Sequence, residues 1–535
     1  MAQADPAQPE ARGTTAPDLD LGLGKDAKSK SNTFTSPADR TVRKAAAPSA
    51  KTGVAAAQSA SANPDLSVGL TAYGVTAHGI EVDTTIYSAD TALTVTIEWG
   101  DGKSDVFDAF GSGTHTTAHT YAEVGSYTVK VTVADAENGV SAVNEVVFVT
   151  AGADFTPYAP TRLLDTRDGT GAPAGKVQPY SSTRVKIGGN GGIPAGVTAV
   201  VLNVTVTNTS SNGHITAFPE GTQRPTTSNV NYKARQSVPN LVIVKVGKNG
   251  YVEIANRGDA PVDLIADVTG YFSKTASSGY TPVTPSRFVD TREGLGTAKG
   301  QLGGRKTFST QISGLRGIPQ GISAVALNVT VTNPREAGHL SVFPGGGATP
   351  TASNLNFTAG QTIANSVIVP VSADGRISVF NGAWAGTDVV VDVVGYYSAD
   401  SKSAFLPFSP ERLVDTRDPQ DPVYGKLWGQ SYIYMPMSYD DPSITGFVLN
   451  TTVTNPEGDG YLTVTPDPNS IDDYINDTAG WPTPPNSSNL NWKRGDTVPN
   501  LVQASTGSHG IIDLWNRGWD DVDLIVDLFG LYQQG

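Results

Sequence analysis

Three times along the chain, the run Arg-x-x-Asp-Thr-Arg sets two guanidinium groups around one carboxylate: Arg162, Asp165 and Arg167, then Arg287, Asp290 and Arg292, then Arg412, Asp415 and Arg417. The three Asp residues are spaced by two equal steps of 125 residues. Farther along each copy, Ser-Asn-x-Asn supplies paired amides: Asn229 and Asn231, Asn354 and Asn356, Asn489 and Asn491. Together these groups have the chemistry of a polar binding site, able to take sugar hydroxyls or the carboxylates of a wall polymer. Tyr232, Phe357 and Trp492, each next to the second Asn, offer faces for stacking on a sugar ring. The same residues also have a purely structural use, in which Asp and Arg pair bidentately and Asn side chains close turns and satisfy buried backbone groups. Strand alternation places each second Asn and its aromatic neighbour on opposite faces, which favours the structural use. Removing one partner of a buried ion pair costs about 3–5 kcal/mol, enough by itself to keep such a set in register.

Catalytic readings are weaker. His214 and His339 occupy matching repeat positions, but the third copy has Tyr461 there, so no histidine-based active site repeats. The chain lacks a Gly-x-Ser-x-Gly elbow, a His-Glu-x-x-His motif and a phosphate-cradling loop. Asp165 and Asp267 recur together and keep a secreted glycan hydrolase open as an alternative, although that chemistry depends on a carboxylate separation that sequence does not supply. The expected activity is non-enzymatic, with no cofactor. Asp467, Asn469, Asp472, Asp473 and Asp477 are oxygen ligands suited to calcium, but they lack EF-hand order. Calcium is therefore possible but unsupported, and a solvated acidic loop is the expectation for that stretch.

These motifs need a scaffold, and the repeat supplies it. Each copy continues through Leu-Asn-x-Thr-Val-Thr-Asn at 202–208, 327–333 and 449–455. From Asn229 to Asn240, Asn256 and Asp267 the steps are 11, 16 and 11, and both later copies reproduce them. The third copy carries an extra 13 residues, placed around 468–481. Apolar runs such as Val200–Val206 and Leu241–Val246, punctuated by Gly and Pro, read as strands. The expected architecture is all-β: three tandem β-sandwich modules at 155–273, 279–398 and 404–535, each large enough to fold alone.

Ahead of them, residues 65–151 alternate clearly, as in Tyr127-Thr128-Val129-Lys130-Val131-Thr132-Val133. Trp99-Gly100-Asp101-Gly102, His119-Thr120-Tyr121 and Gly125 make this region resemble a PKD domain. The resemblance implies an immunoglobulin-like sandwich acting as a spacer or adhesion module outside the cell. The three repeats also resemble those of secreted cell-surface proteins of high-GC Gram-positive bacteria. Residues 1–64, poor in aromatic and β-branched clusters, read as a disordered tail or linker.

The 535 residues carry a net charge of −14 and no cysteine. Such acidity opposes nucleic-acid binding, and no apolar run is long enough for membrane insertion. The chain is expected to be secreted or held at the cell surface, its signal peptide removed, with cell-wall polysaccharide or a surface protein as partner. A structural protein of an extracellular layer is the other alternative.

Overall fold

The computed structural model describes residues 11–17, 19, 21, 23–26, 32–37 and 63–535. They form two compact units. One contains Leu19–Ala153; the other contains Asp154–Gln534 together with the segment ending at Asp18. Both are all-β apart from the short helix Ile471–Ile475.

The first unit is a sandwich of two four-stranded sheets, ordered Thr33–Thr35, Ser67–Gly74, Gly79–Tyr87, Gly113–Thr120 and Ser104–Phe110, Ala92–Glu98, Ser126–Asp135, Val140–Val149. Alternate residues enter the core, among them Val129, Val131 and Val133 from one strand. The Trp99-Gly-Asp-Gly and His119-Thr-Tyr runs meet. His119 stacks on Trp99 with ring centroids 4.7 Å apart, its Nε2 lies 2.9 Å from Asp101 Oδ2, and Tyr121 donates to the Trp99 carbonyl.

In the second unit each repeat is its own two-sheet sandwich. In the first copy one sheet runs Asp154–Asp165, Asp263–Ser273, Ala199–Thr207, Val238–Lys245, and the other Ser182–Lys186, Tyr251–Asn256, Gly213–Pro219, Val230–Tyr232. The second and third copies repeat this order. The first sheet of each copy has lost alternation: every residue of Asp263–Ser273 is buried, as is Ala199–Val206. One face packs against the other sheet of its module, and the opposite face is covered by the neighbouring modules.

The three modules close into a ring rather than standing as a string of separate beads. Asn203 of the first donates to the Ser353 carbonyl of the second (2.7 Å), Asn328 of the second to Ser488 of the third, and Asn450 of the third to Ser228 of the first (2.7 Å). A second ring donates in the opposite sense: Asn365 Nδ2 reaches Asn203 Oδ1 (3.2 Å), Asn500 reaches Asn328 (3.1 Å) and Asn240 reaches Asn450 (3.2 Å). Six aromatics in equivalent positions form three cross-module pairs: Phe155 with Tyr397, Tyr280 with Tyr532, and Phe405 with Phe272, at centroid distances of 4.2, 4.1 and 4.5 Å. Gln503 breaks the symmetry among them, donating to the hydroxyls of both Tyr397 and Tyr532. The arrangement is a pseudo-threefold built from one chain.

Two sequence expectations are corrected. Within the stretch read as a disordered tail, Arg12–Gly13 and Thr33–Thr35 are strands, added to Tyr432–Pro436 and Ser67–Gly74 respectively. Composition reports what a segment can bury by itself, whereas a strand laid on an existing edge takes its hydrogen bonds from another element. The rest of that stretch, apart from the residues named above and Asn63 and Pro64, lies outside the described residues. The stretch read as a solvated acidic loop is in part a cover. Ser470 and Asp473 form a capping box for the helix, Tyr474 stacks on Tyr434 at 3.7 Å, and Trp481 packs edge-on against Tyr432 and Trp515. Beneath it Asp467 and Asp513 are buried. Burial and the adjoining Asp467 carboxylate push the Asp513 carboxyl up to about 10, so it is protonated at neutral pH.

Candidate functional site: grooves between modules

The Arg-x-x-Asp-Thr-Arg run sits at the end of its module's first strand, and its charges form a continuous row of alternating sign with the Asp of the neighbouring strand. Arg162 grips Asp267 bidentately (Nε to Oδ1 2.9 Å, Nη2 to Oδ2 3.2 Å) and reaches Asp165 with Nη1 at 3.0 Å. Arg167 grips the same Asp165 at 2.8 and 2.6 Å, and its backbone N–H caps Oδ1. Thr166 turns inward, accepting from the Leu264 N–H and donating to Asp263. The second copy repeats this with Arg287, Asp392, Asp290 and Arg292, and the third with Arg412, Asp527, Asp415 and Arg417. The carboxylates are buried, apart from the part-buried Asp415, while the outer guanidiniums of Arg167 and Arg292 stay about half exposed. The Arg167 side chain, against the opposing cost of burial, holds Asp165 down to about 2; burial dominates at Asp267 and raises it despite Arg162.

The first Asn of each Ser-Asn-x-Asn run is structural in its contacts. Asn229 Oδ1 accepts from the Ala217 N–H at 2.7 Å and its carbonyl accepts from Asn240; Asn354 and Asn489 do the same in their copies. Asn256 likewise clamps a loop, donating to the Val177, Gln178 and Ala260 carbonyls. The second Asn of each run, Asn231, Asn356 or Asn491, is only part-buried, while the aromatic that follows points into the core, as alternation requires.

The structure brings these motifs together across module boundaries. Arg287 and Arg292 of the second copy, with Thr330, Thr332 and Thr362, face Tyr461, Ser487, Ser488 and Asn491 of the third around a cavity of about 230 Å³. Where the third copy meets the first, Asp527 accepts from the Ser228 backbone, and the charge of Arg412 adds to burial and Arg257 in lowering the pKa of His214. At the first-to-second boundary Asn356 reaches Ser237, and Asn203 bonds the carbonyl of Ser353. Sequence reading placed both motifs in one module and missed Asn203, Asn328 and Asn450 as module joints. The unbroken apolar runs were the available signal, since a strand buried on both faces needs a second covering surface.

Among the described residues no group of three or more His, Cys, Asp or Glu is placed to hold a metal, and no helix is long and apolar enough to cross a membrane.

Residues 65–149 match the PKD domain family, and the sandwich seen there is a PKD domain. No curated protein matches the chain. Among solved structures, similarity extends to a chain from the Sulfolobus turreted icosahedral virus, with 11% identity over 71% of this chain and 91% of that one and a TM-score of 0.16. It extends also to carbohydrate-binding modules of the β-sandwich superfamily (11% identity, 38% and 92% covered, TM-score 0.14) and to a SusE-like protein (10% identity, 38% and 97% covered, TM-score 0.13). Scores this low carry no weight for function.

Proposed function

We propose that the chain is an extracellular, non-enzymatic surface protein whose three-module ring binds cell-wall glycan in the grooves between modules, with the PKD domain as spacer. The observation that carries this reading is the groove in which half-exposed Arg292 and part-buried Arg287 face the hydroxyl and amide groups of Ser487, Ser488 and Asn491. Guanidinium, hydroxyl and amide lining suits a hydroxyl-rich polymer bearing carboxylates. The ring fixes the spacing of equivalent grooves, so a polymer long enough to reach two of them gains effective concentration at the second. Arg162 lies between Asp165 and Asp267 and engages both carboxylates, which supports binding over acid–base hydrolysis.

Retention on insoluble peptidoglycan, chitin and cellulose tests the reading. The full chain is retained on a carboxylate-bearing wall polymer, and Arg292→Ala combined with Arg167→Ala and Arg417→Ala releases it; equal retention of the triple variant overturns the proposal. A second reading, an assembly role in an extracellular layer, is favoured by how completely the Asp and first-Asn groups are satisfied within the protein. Ordered assemblies of pure protein that ignore glycan would select it.

A further inference from the structure

The outer sheet of the third module ends in a strand that, among the described residues, has no counterpart in the first two modules. Arg12–Gly13 lies parallel to Tyr432–Pro436, pairing Arg12 with Ile433 and Gly13 with Tyr434, and Thr14 N–H donates to the Tyr434 carbonyl at 3.1 Å. Arg12 enters a cage of carbonyls, donating to Val423, Tyr424 and Gly425 at 3.5, 3.4 and 3.1 Å and to Lys426, while its guanidinium carbon stands 5.7 Å from the Trp428 ring centroid. A Cβ at the next position would fall 2.2 Å from the Tyr434 ring, which is stacked on Tyr474 at 3.7 Å, so a residue larger than Gly seats there only by displacing that pair.

The first two modules lack this equipment. Register puts Gln178 and Gly303 where the third has Trp428, and Arg184 and Ser309 where it has Tyr434. Among the described residues their edges Ser182–Lys186 and Thr307–Gln311 carry no added strand, and the first borders an open groove of about 580 Å³. The third module is thus specifically furnished to read an extended segment in which Arg precedes Gly.

We propose that this edge is a strand-acceptor site, filled in the structure by the chain's own Ala11–Pro17, and that the same segment of a second copy occupies it when copies exchange strands. The contact is brief, two paired residues and one anchored Arg, so the cis strand leaves without disturbing the module's core. Gly24 is bonded to the Gly74 carbonyl and Lys25 to Asp83, so the nine residues between Thr14 and Gly24 give the segment a reach of up to about 30 Å. Donation from one copy to an edge of the next is a heterologous contact, the kind that builds open chains of subunits.

The test uses the full chain bearing Gly13→Val, whose own strand seats only by displacing the Tyr434–Tyr474 pair, and a fluorescent peptide of residues 11–17. The peptide binds this variant saturably, binds the wild type more weakly because the edge is filled, and loses about tenfold or more in affinity when it carries Arg12→Ala. Light scattering shows wild-type mass rising with concentration, while Gly13→Val and Arg12→Ala chains stay monomeric. Absence of peptide binding, equal binding of the Arg12→Ala peptide, or a wild type that stays monomeric at every concentration overturns the proposal.

Discussion

The PKD sandwich and the ring modules use similar sheets in opposite ways. In Ser126–Asp135 of the PKD domain burial alternates along the strand, one face in the core and one toward solvent. In Asp263–Ser273 of the first ring module every residue is buried. A sandwich that stands by itself needs one apolar face per sheet, while a sandwich that joins a ring needs two, and the second must carry the polar groups that set register with its neighbours. Those groups are Asn203, Asn328 and Asn450, with the six aromatics beside them.

The sharpest way to separate the two regions is to remove one of those aromatics. Tyr532→Ala should cost the ring unit about 3–5 kcal/mol, since Tyr532 is buried among Tyr280, Tyr397 and Phe405. Chemical denaturation followed by separate probes should show the PKD transition unmoved, and Phe148→Ala should do the reverse.

Arg162→Ala comes next, because it leaves Asp267 buried without its bidentate partner; part exposure of Arg162 brings the cost to about 2 kcal/mol. The same cluster sets an acid limit. Asp165 is held at about 2, below its value of about 3.9 in an unfolded chain. Its stabilisation is therefore complete above pH ~4 and is lost as pH falls toward 2, while Asp267, raised by burial, works in the opposite direction. Asp165→Asn should flatten the decline in stability between pH 4 and 2.

Asn450→Ala removes the donor to Ser228 and the acceptor for Asn240, at about 1–2 kcal/mol, with no effect on the PKD transition. Arg292→Ala costs a similar amount, about 1–2 kcal/mol: its side chain is half exposed, but Asp290 beneath it is fully buried and keeps only Arg287 at 3.5 Å and the backbone N–H of residue 292. That variant sharpens the functional side of the comparison: on the proposed reading it weakens glycan retention while the protein stays folded.

The strands, the repeat and the PKD motif were legible because each depends on local pattern: alternation, turn residues and the recurrence of Asp165, Asp290 and Asp415. The Asp–Arg pairing was legible as a structural option for the same reason. What escaped was the partner of each motif. Asn203 and Ser353 lie 150 residues apart, and no periodicity within a module says that one meets the other. The acidic insertion misled for a related reason: Asp467 reads as solvated until Tyr474 and Trp481 are seen to cover it.

The central claim is ring closure, and small-angle X-ray scattering of residues 154–535 tests it most directly. A closed unit of that length should have a radius of gyration near ~21 Å. A value near ~30 Å, as expected for three such modules strung in a line, would contradict the ring and with it the grooves between modules.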